Sequence, residues 1–367
     1  MKEFATTGIS TVAMLREIAY ESGLEVVDAA VGSPVDPPPA VVPRLLASSG
    51  TERHYPRSDG STAFKEAVLG WLTSEVGVDL DAHQVGATIG SKEFISSLPL
   101  LLARGRPDRD VVLIPPIAYP SYAVGAKWAG LETYRVPAKT DGTLDLDAIP
   151  EEVARRALLF WVNSPNNPTG MIESLAPVAH FGDRHGVIIA SDECYHDFGW
   201  TREPESLLGF GVSGHLALYS LSKRSNLAGL RIGMYAGDGD LVQEIALARR
   251  ELGLMPPGPV QAVAAGVLGD REHVVEQRRR YAERLRLVSG WLENLLGVPV
   301  RLPDGGIYLW VRAPEEFNQD GATLGVMLAR KFGLVTAPGA DYGDARFLRV
   351  SMTISTKQME TLASRLG

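Results

Sequence analysis

Seven short apolar runs punctuate the middle of the chain: QVGATIG (84–90), VVLIP (111–115), TYRVP (133–137), LLFWVN (158–163), VIIASDE (187–193), LALYSLS (216–222) and IGMYAGD (232–238). Most carry apolar residues at consecutive rather than alternate positions, which predicts strands buried on both faces. Helix-like segments separate several of them, at Lys92 to Ala103, Ser121 to Ala129 and Ser174 to Arg184. Such strand–helix alternation predicts an α/β fold on a parallel sheet with right-handed crossovers. The pattern changes near residue 270. Residues 271–296 read as one long charged helix. YLWVR (308–312) and FLRVSM (347–352) read as strands, with a helix over 322–332 between them. This α+β tail predicts a smaller C-terminal domain. The expected divisions are 1–45 (an N-terminal arm and part of the small domain), 46–270 (the large domain) and 271–367 (the small domain). Pro37-Pro38-Pro39 reads as a rigid turn rather than a linker.

Length and composition narrow the class. A chain of 367 residues suits one large and one smaller core. With 45% hydrophobic and 22% charged residues, disorder and fibrous repeats are poor readings. A net charge of −8 opposes nucleic-acid binding. The triplet Arg278-Arg279-Arg280 sits near Glu276 and Glu283 and reads as a solvated helix face. One cysteine, Cys194, allows no internal disulfide and suits a reducing compartment. The N-terminus lacks the pattern of a secretion signal, and no apolar run is long enough to cross a bilayer. A cytoplasmic protein with no membrane or nucleic-acid partner is the expectation, and no metal site is called for.

In open α/β sheets, ligands bind beyond the carboxyl ends of the strands. The first run is followed by Gly90-Ser91-Lys92, the second by Tyr119, and the fourth by Asn163 to Gly170. The fifth ends in Asp192 with Tyr195 just beyond; the sixth ends in Ser220, Ser222 and Lys223, with Arg231 eight residues on. Taken singly, these are a turn lysine, a helix cap, turn asparagines and rim aromatics. Together they suit a phosphorylated pyridine aldehyde. Its aldehyde needs an amine, for which Lys223 is the candidate. Its ring nitrogen needs a carboxylate, Asp192, to stay protonated as an electron sink. Its phosphate needs a helix N-terminus, hydroxyls and an arginine: Ser91, Ser220, Ser222 and Arg231. Asn167 and Tyr195 suit the ring oxygen, and Tyr119 the ring face.

The chain resembles the class I/II aminotransferases, the fold-type-I pyridoxal-phosphate (PLP) enzymes. The resemblance rests on NSPNNPTG (163–170), SDECY (191–195), SLSKRSNLAGLRIG (220–233), PPIAYPSY (115–122), HYPRSDGS (54–61), AAVGSP (29–34) and FLRVSM (347–352). It implies a mostly parallel seven-stranded sheet flanked by helices, plus the smaller α+β domain. It implies Lys223 as the Schiff-base lysine and the base at the substrate Cα, and Asp192 as the pyridinium partner. Asn167 and Tyr195 become ring-oxygen donors, and Tyr119 the stacking aromatic. Ser91, Ser220 and Arg231 become phosphate ligands, with Lys92 beside them. Arg349 becomes the arginine that grips the substrate α-carboxylate, with Gly32 and Asn167 nearby. Tyr55 becomes the tyrosine that crosses to the phosphate of the other subunit in a homodimer with shared sites.

Within that family, VGSPVDP (31–37), GSKEFISSLPLLL (90–102), SDECYHDFGW (191–200) and PVQAV (259–263) most resemble the actinobacterial type of N-succinyldiaminopimelate aminotransferase. That resemblance implies an amino dicarboxylate as donor, with glutamate and 2-oxoglutarate as the exchanging pair. Arg57 and Asp59 depart from the small residues usual there, and 337–350 is also atypical. Arg57 and Arg250 are candidates for the distal substrate group, although Arg250 also reads as part of a solvated helix face. A non-transaminating PLP enzyme of specialised metabolism and an aspartate or aromatic aminotransferase are the alternatives. The sequence contains neither G-x-G-x-x-G after a strand nor G-x-x-x-x-G-K-[ST], which argues against a nucleotide-binding enzyme.

Overall fold

A computed structural model of the chain describes residues 11–48 and 50–367. The first ten residues of the expected N-terminal arm lie outside the described residues. The chain divides into two compact units. The larger is Pro37–Arg280 with Asp304–Gly306; the smaller takes the residues up to Asp36, Tyr281–Pro303 and Ile307–Gly367. One boundary therefore falls inside the helix Glu272–Leu296.

All seven apolar runs enter one sheet in the larger unit. They form β1 (Val85–Thr88), β2 (Val111–Ile114), β3 (Glu132–Arg135), β4 (Ala157–Asn163), β5 (Ile188–Asp192), β6 (His215–Ser220) and β7 (Gly233–Gly237). The spatial order is β1-β7-β6-β5-β4-β2-β3. β7 runs antiparallel to both neighbours, and every other pairing is parallel. The sheet is thus mostly parallel. Strands β1, β2, β4, β5, β6 and β7 are buried throughout, as consecutive apolar positions require, whereas edge strand β3 keeps Glu132 and Arg135 exposed. The sixth run stops being a strand at Ser220. The Ser220 hydroxyl accepts the Ser222 N–H (3.1 Å) and caps a short helical turn, Leu221–Arg224. Phe94, Tyr122, Trp161, Leu218, Tyr235 and Ile245 belong to one core cluster between the sheet and its helices.

The antiparallel sense of β7 has a consequence for chemistry. Its first residue, Gly233, pairs with Ser220 at the end of β6 and with Thr88 at the end of β1. The segment leading into β7 therefore starts at the carboxyl rim of its neighbours.

In the smaller unit, Ala337–Pro338, Phe347–Ser351 and Tyr308–Arg312 form an antiparallel sheet in that order. Val27–Asp28 pairs in parallel with Leu334–Val335. Helix Gly321–Phe332 begins where the Asp320 carboxylate accepts the Thr323 N–H (3.0 Å), and Thr356–Leu366 begins in a Ser355/Gln358 capping box.

The arginine triplet departs from a uniform solvated face. Arg279 and Arg280 pair with Glu276 at the surface. Arg278 instead donates to the carbonyls of Asp197 and Gly199 and lies over the Trp200 ring, 5.5 Å from its centroid. Among the described residues, no helix is long and apolar enough to cross a membrane.

Candidate active site

The strand-end rim of the larger unit gathers most of the expected residues. Asp192 closes β5 and is 5% exposed. Its Oδ1 accepts the Cys194 N–H (3.2 Å), and its Oδ2 accepts the Tyr122 hydroxyl (2.8 Å). Burial pushes the Asp192 carboxyl above its ordinary value, and the hydrogen bonds from Cys194 and Tyr122 oppose that rise. Tyr122 stacks on Trp161 (5.2 Å, 18°) and meets Tyr119 edge-on (6.0 Å, 82°). The thiol of Cys194 lies near Asp192, Ser91 and Lys223. Burial drives that thiol well above its usual pKa, and the nearby Lys223 charge pulls the other way.

The loop after β4 is pinned by a residue whose role the sequence does not announce. Asn163 donates to the carbonyls of Asp192 (2.7 Å) and Pro165 (3.0 Å), and its Oδ1 accepts the Asn167 N–H (2.7 Å). This buried staple fixes the loop to β5 and brings the Asn167 amide within 3.5 Å of the Tyr195 hydroxyl. The Asn167 amide and the Tyr195 hydroxyl are thus brought together at the ends of β4 and β5. Asn166 closes the loop from within, its Oδ1 accepting from Thr169 N–H (3.1 Å) and Oγ1 (2.9 Å).

A third group of residues gathers at a helix N-terminus. Helix Ser91–Ala103 starts after Gly90, at φ +75°, with no side chain capping it. Its first N–H groups are therefore oriented for an external anion. Glu93 turns inward: it accepts the Ile89 N–H (3.2 Å) and a bidentate pair from the fully buried Arg249 (2.7 and 2.9 Å). Arg231 is held at φ +54°, and its Nη1 donates to the Ala228 carbonyl (2.8 Å). Its guanidinium lies so close over Gly90 that a Cβ there would meet Nη2 at 2.3 Å. A Cβ on Gly233 would stand 3.6 Å from the Ser91 nitrogen. Arg231 thus lies over the residue before Ser91, and the β6–β7 pairing sets Ser220 against Gly233, two residues after Arg231. Lys92 points to solvent beside Ser91, and Lys223 sits half-buried in the turn capped by Ser220.

Three expected residues lie elsewhere in this unit. Tyr55 is 95% exposed. With Arg57, Gln243 and Arg250 it lines a cavity of about 710 Å³. Arg57 is bound bidentately to Asp59 (3.0 and 2.8 Å), and Asp59 also takes Lys65 Nζ (2.6 Å).

In the smaller unit, Arg349 is 4% exposed. Its guanidinium lies over the rings of Tyr308 (4.2 Å) and Tyr342 (4.8 Å), and Nη2 donates to the Ala30 carbonyl (2.5 Å). Gly32 is the only size that fits under Tyr308, whose hydroxyl would be 2.2 Å from a Cβ. Nearby, burial raises the Asp341 carboxyl, and the Arg349 charge partly offsets it.

An amine, a buried carboxylate with its own donors, paired ring-oxygen donors and an arginine-covered helix N-terminus fit PLP, and the crowding over Gly90 leaves a backbone cradle no larger residue would permit. Fold and donor set together define a fold-type-I PLP enzyme. The family model for aminotransferase class I and II matches residues 25–366, and the chain belongs to that family and is a PLP-dependent transaminase. The 4-dedimethylamino-4-oxo-anhydrotetracycline transaminase of Streptomyces rimosus is 36% identical, over 96% of this chain and 95% of the relative. The LL-diaminopimelate aminotransferase of Aquifex aeolicus is 35% identical, over 94% and 92%. The solved structure of a probable N-succinyldiaminopimelate aminotransferase from Thermus thermophilus superposes with a TM-score of 0.85 at 31% identity, covering 96% of this chain and 97% of that one.

Proposed function

We propose that this transaminase moves an amino group between an amino dicarboxylate, represented by N-succinyl-LL-2,6-diaminopimelate, and 2-oxoglutarate. The observation that carries the assignment of the site is the buried Asp192 carboxylate with a hydroxyl donor at a strand end, two residues before a thiol, Cys194, that feels the Lys223 charge. The dicarboxylate is supported by relatives named for diaminopimelate and N-succinyldiaminopimelate. When bound, PLP supplies a carbonyl that condenses with amines and a ring that delocalises the electron pair left at the substrate Cα.

The chain's own residues do the rest. Lys223 holds the cofactor, and its amine, once displaced, removes the Cα proton and returns a proton on the cofactor side. Asp192 accepts the ring N–H. Asn167 and Tyr195 donate to the ring oxygen, and Tyr119 covers the ring face. Ser91, Ser220 and Arg231 bind the phosphate, with Lys92 adding positive charge. Arg349 takes the α-carboxylate as a bidentate pair, and Gly32 and Asn167 are the further substrate-binding residues of this reading. The ion pair to Asp59 leaves Arg57, like the exposed Arg250, a weaker candidate for the distal group.

The enzyme works in the cytoplasm as a homodimer in which Tyr55, standing clear of its own subunit, reaches the partner's phosphate. Sedimentation at assay concentration should give a dimer; a fully active monomer overturns this. Amino donors screened against 2-oxoglutarate, with products read by mass spectrometry, test the substrate class. N-succinyl-diaminopimelate and glutamate should exchange. If no dicarboxylic donor transaminates, the dicarboxylate reading is wrong. The Streptomyces rimosus relative favours amination of a larger ketone as the second reading.

A further inference from the structure

We propose that Tyr122 is a positioning residue for the reaction: by donating its hydroxyl hydrogen to Asp192 Oδ2, it fixes the carboxylate that meets the ring nitrogen and keeps the shared proton on that nitrogen. The inference rests on the reading that Asp192 faces the ring nitrogen.

Tyr122 is fully buried, and its hydroxyl lies 2.8 Å from Asp192 Oδ2. It sits in the first turn of helix Ser121–Trp128, three residues after Tyr119, so both rings face the same region. The ring is clamped between Trp161 and the edge of Tyr119, which leaves the hydroxyl one position. Burial, then the charge of Asp192, push the phenol well above its ordinary pKa, so it stays neutral and is the donor of the pair. Burial also favours a protonated Asp192, and Tyr122 is one of the groups that oppose this. Without that donor the carboxylate holds a proton more tightly. A proton shared with a ring nitrogen then moves toward Asp192, and the ring withdraws less charge from the reacting carbon.

The same core cluster supplies a control. Tyr235 is fully buried and stacks on Phe94 (4.5 Å, 27°), yet its hydroxyl makes no hydrogen bond among the described residues. Tyr235→Phe is the same chemical change without the partner.

The experiment compares wild type, Tyr122→Phe, Tyr235→Phe and Asp192→Asn. It reads thermal stability, PLP affinity of the cofactor-free protein, the pH midpoint of the bound cofactor's visible absorption, and kcat with KM. For Tyr122→Phe, a hydrogen bond to a charged group corresponds to about a tenfold loss in PLP affinity and in kcat. The donor KM should hold, and the absorption midpoint should move to higher pH. Tyr235→Phe should match wild type in all four. A fluorinated tyrosine at position 122, a stronger donor, should move the midpoint to lower pH; no shift there refutes the proposal even if Tyr122→Phe folds poorly. Wild-type values in Tyr122→Phe beside an impaired Asp192→Asn overturn the role of Tyr122 and leave the site intact. An Asp192→Asn enzyme with wild-type spectrum and kcat overturns the underlying reading itself.

Discussion

Asp192 and Arg349 are both charged and almost completely buried, at 5% and 4% exposure, yet they are held by opposite means. Asp192, at the end of β5, accepts hydrogen bonds from the Tyr122 hydroxyl and the Cys194 N–H. Arg349, in the smaller unit, lies over the rings of Tyr308 and Tyr342. The difference follows from geometry. A carboxylate is stabilised by donors aimed at its lone pairs, and these tune its proton affinity. A guanidinium that loses no proton has nothing to tune. Stacking its faces offsets desolvation and restricts its rotation, while hydrogen bonding is left to its edge, the geometry a carboxylate matches with two parallel bonds. On the function proposed, the first region would place a proton and the second a ligand.

That contrast can be broken in kinetics, and the largest effect is expected at Asp192. Asp192→Asn should retain PLP but lower kcat on the order of a hundredfold, because losing one member of a buried charge pair costs about 3–5 kcal/mol. A near-normal kcat would remove its role as proton partner. Arg349→Lys should act on binding. A point charge cannot reproduce the planar fork, so KM should rise about tenfold for amino donors and keto acceptors alike. An unchanged KM for every donor would show that the carboxylate binds elsewhere. The smallest effect is expected for Tyr342→Phe, which keeps the ring face over Arg349 and should change KM by less than about twofold. A large rise there would mean that the hydroxyl, not the face, matters.

Much of the fold could be read from the sequence because buried strands require consecutive apolar residues, and six of the seven runs obeyed that requirement, the exception being edge strand β3. Their spatial order and the reversal of β7 could not be read, since direction leaves no mark on side-chain pattern. Yet that reversal is what carries Arg231 to the rim beside Ser220 and Ser91. Residues such as Asp192, Ser220 and Ser91 stood out by their place at a strand end or helix start. Tyr122 and Asn163 occupy such places too, but their residue types hid what they do. A tyrosine on an apolar helix face reads as core packing, and an asparagine at a strand end reads as a turn. Their partners, Asp192 for one and Asn167 and Asp192 for the other, come from separate segments brought together only by folding. The stack around Arg349 was hidden in the same way. Arg278 was misleading because its neighbours Arg279 and Arg280 do behave as a solvated pair with Glu276.

The account turns on Lys223 being the residue that carries the cofactor. Borohydride reduction of the holoenzyme fixes the cofactor covalently to that lysine, and peptide mapping by mass spectrometry locates it. The modified residue should be Lys223 alone, and Lys223→Ala should yield no modified peptide and no turnover. Modification at Lys92 or any other lysine in the wild-type protein would contradict the account.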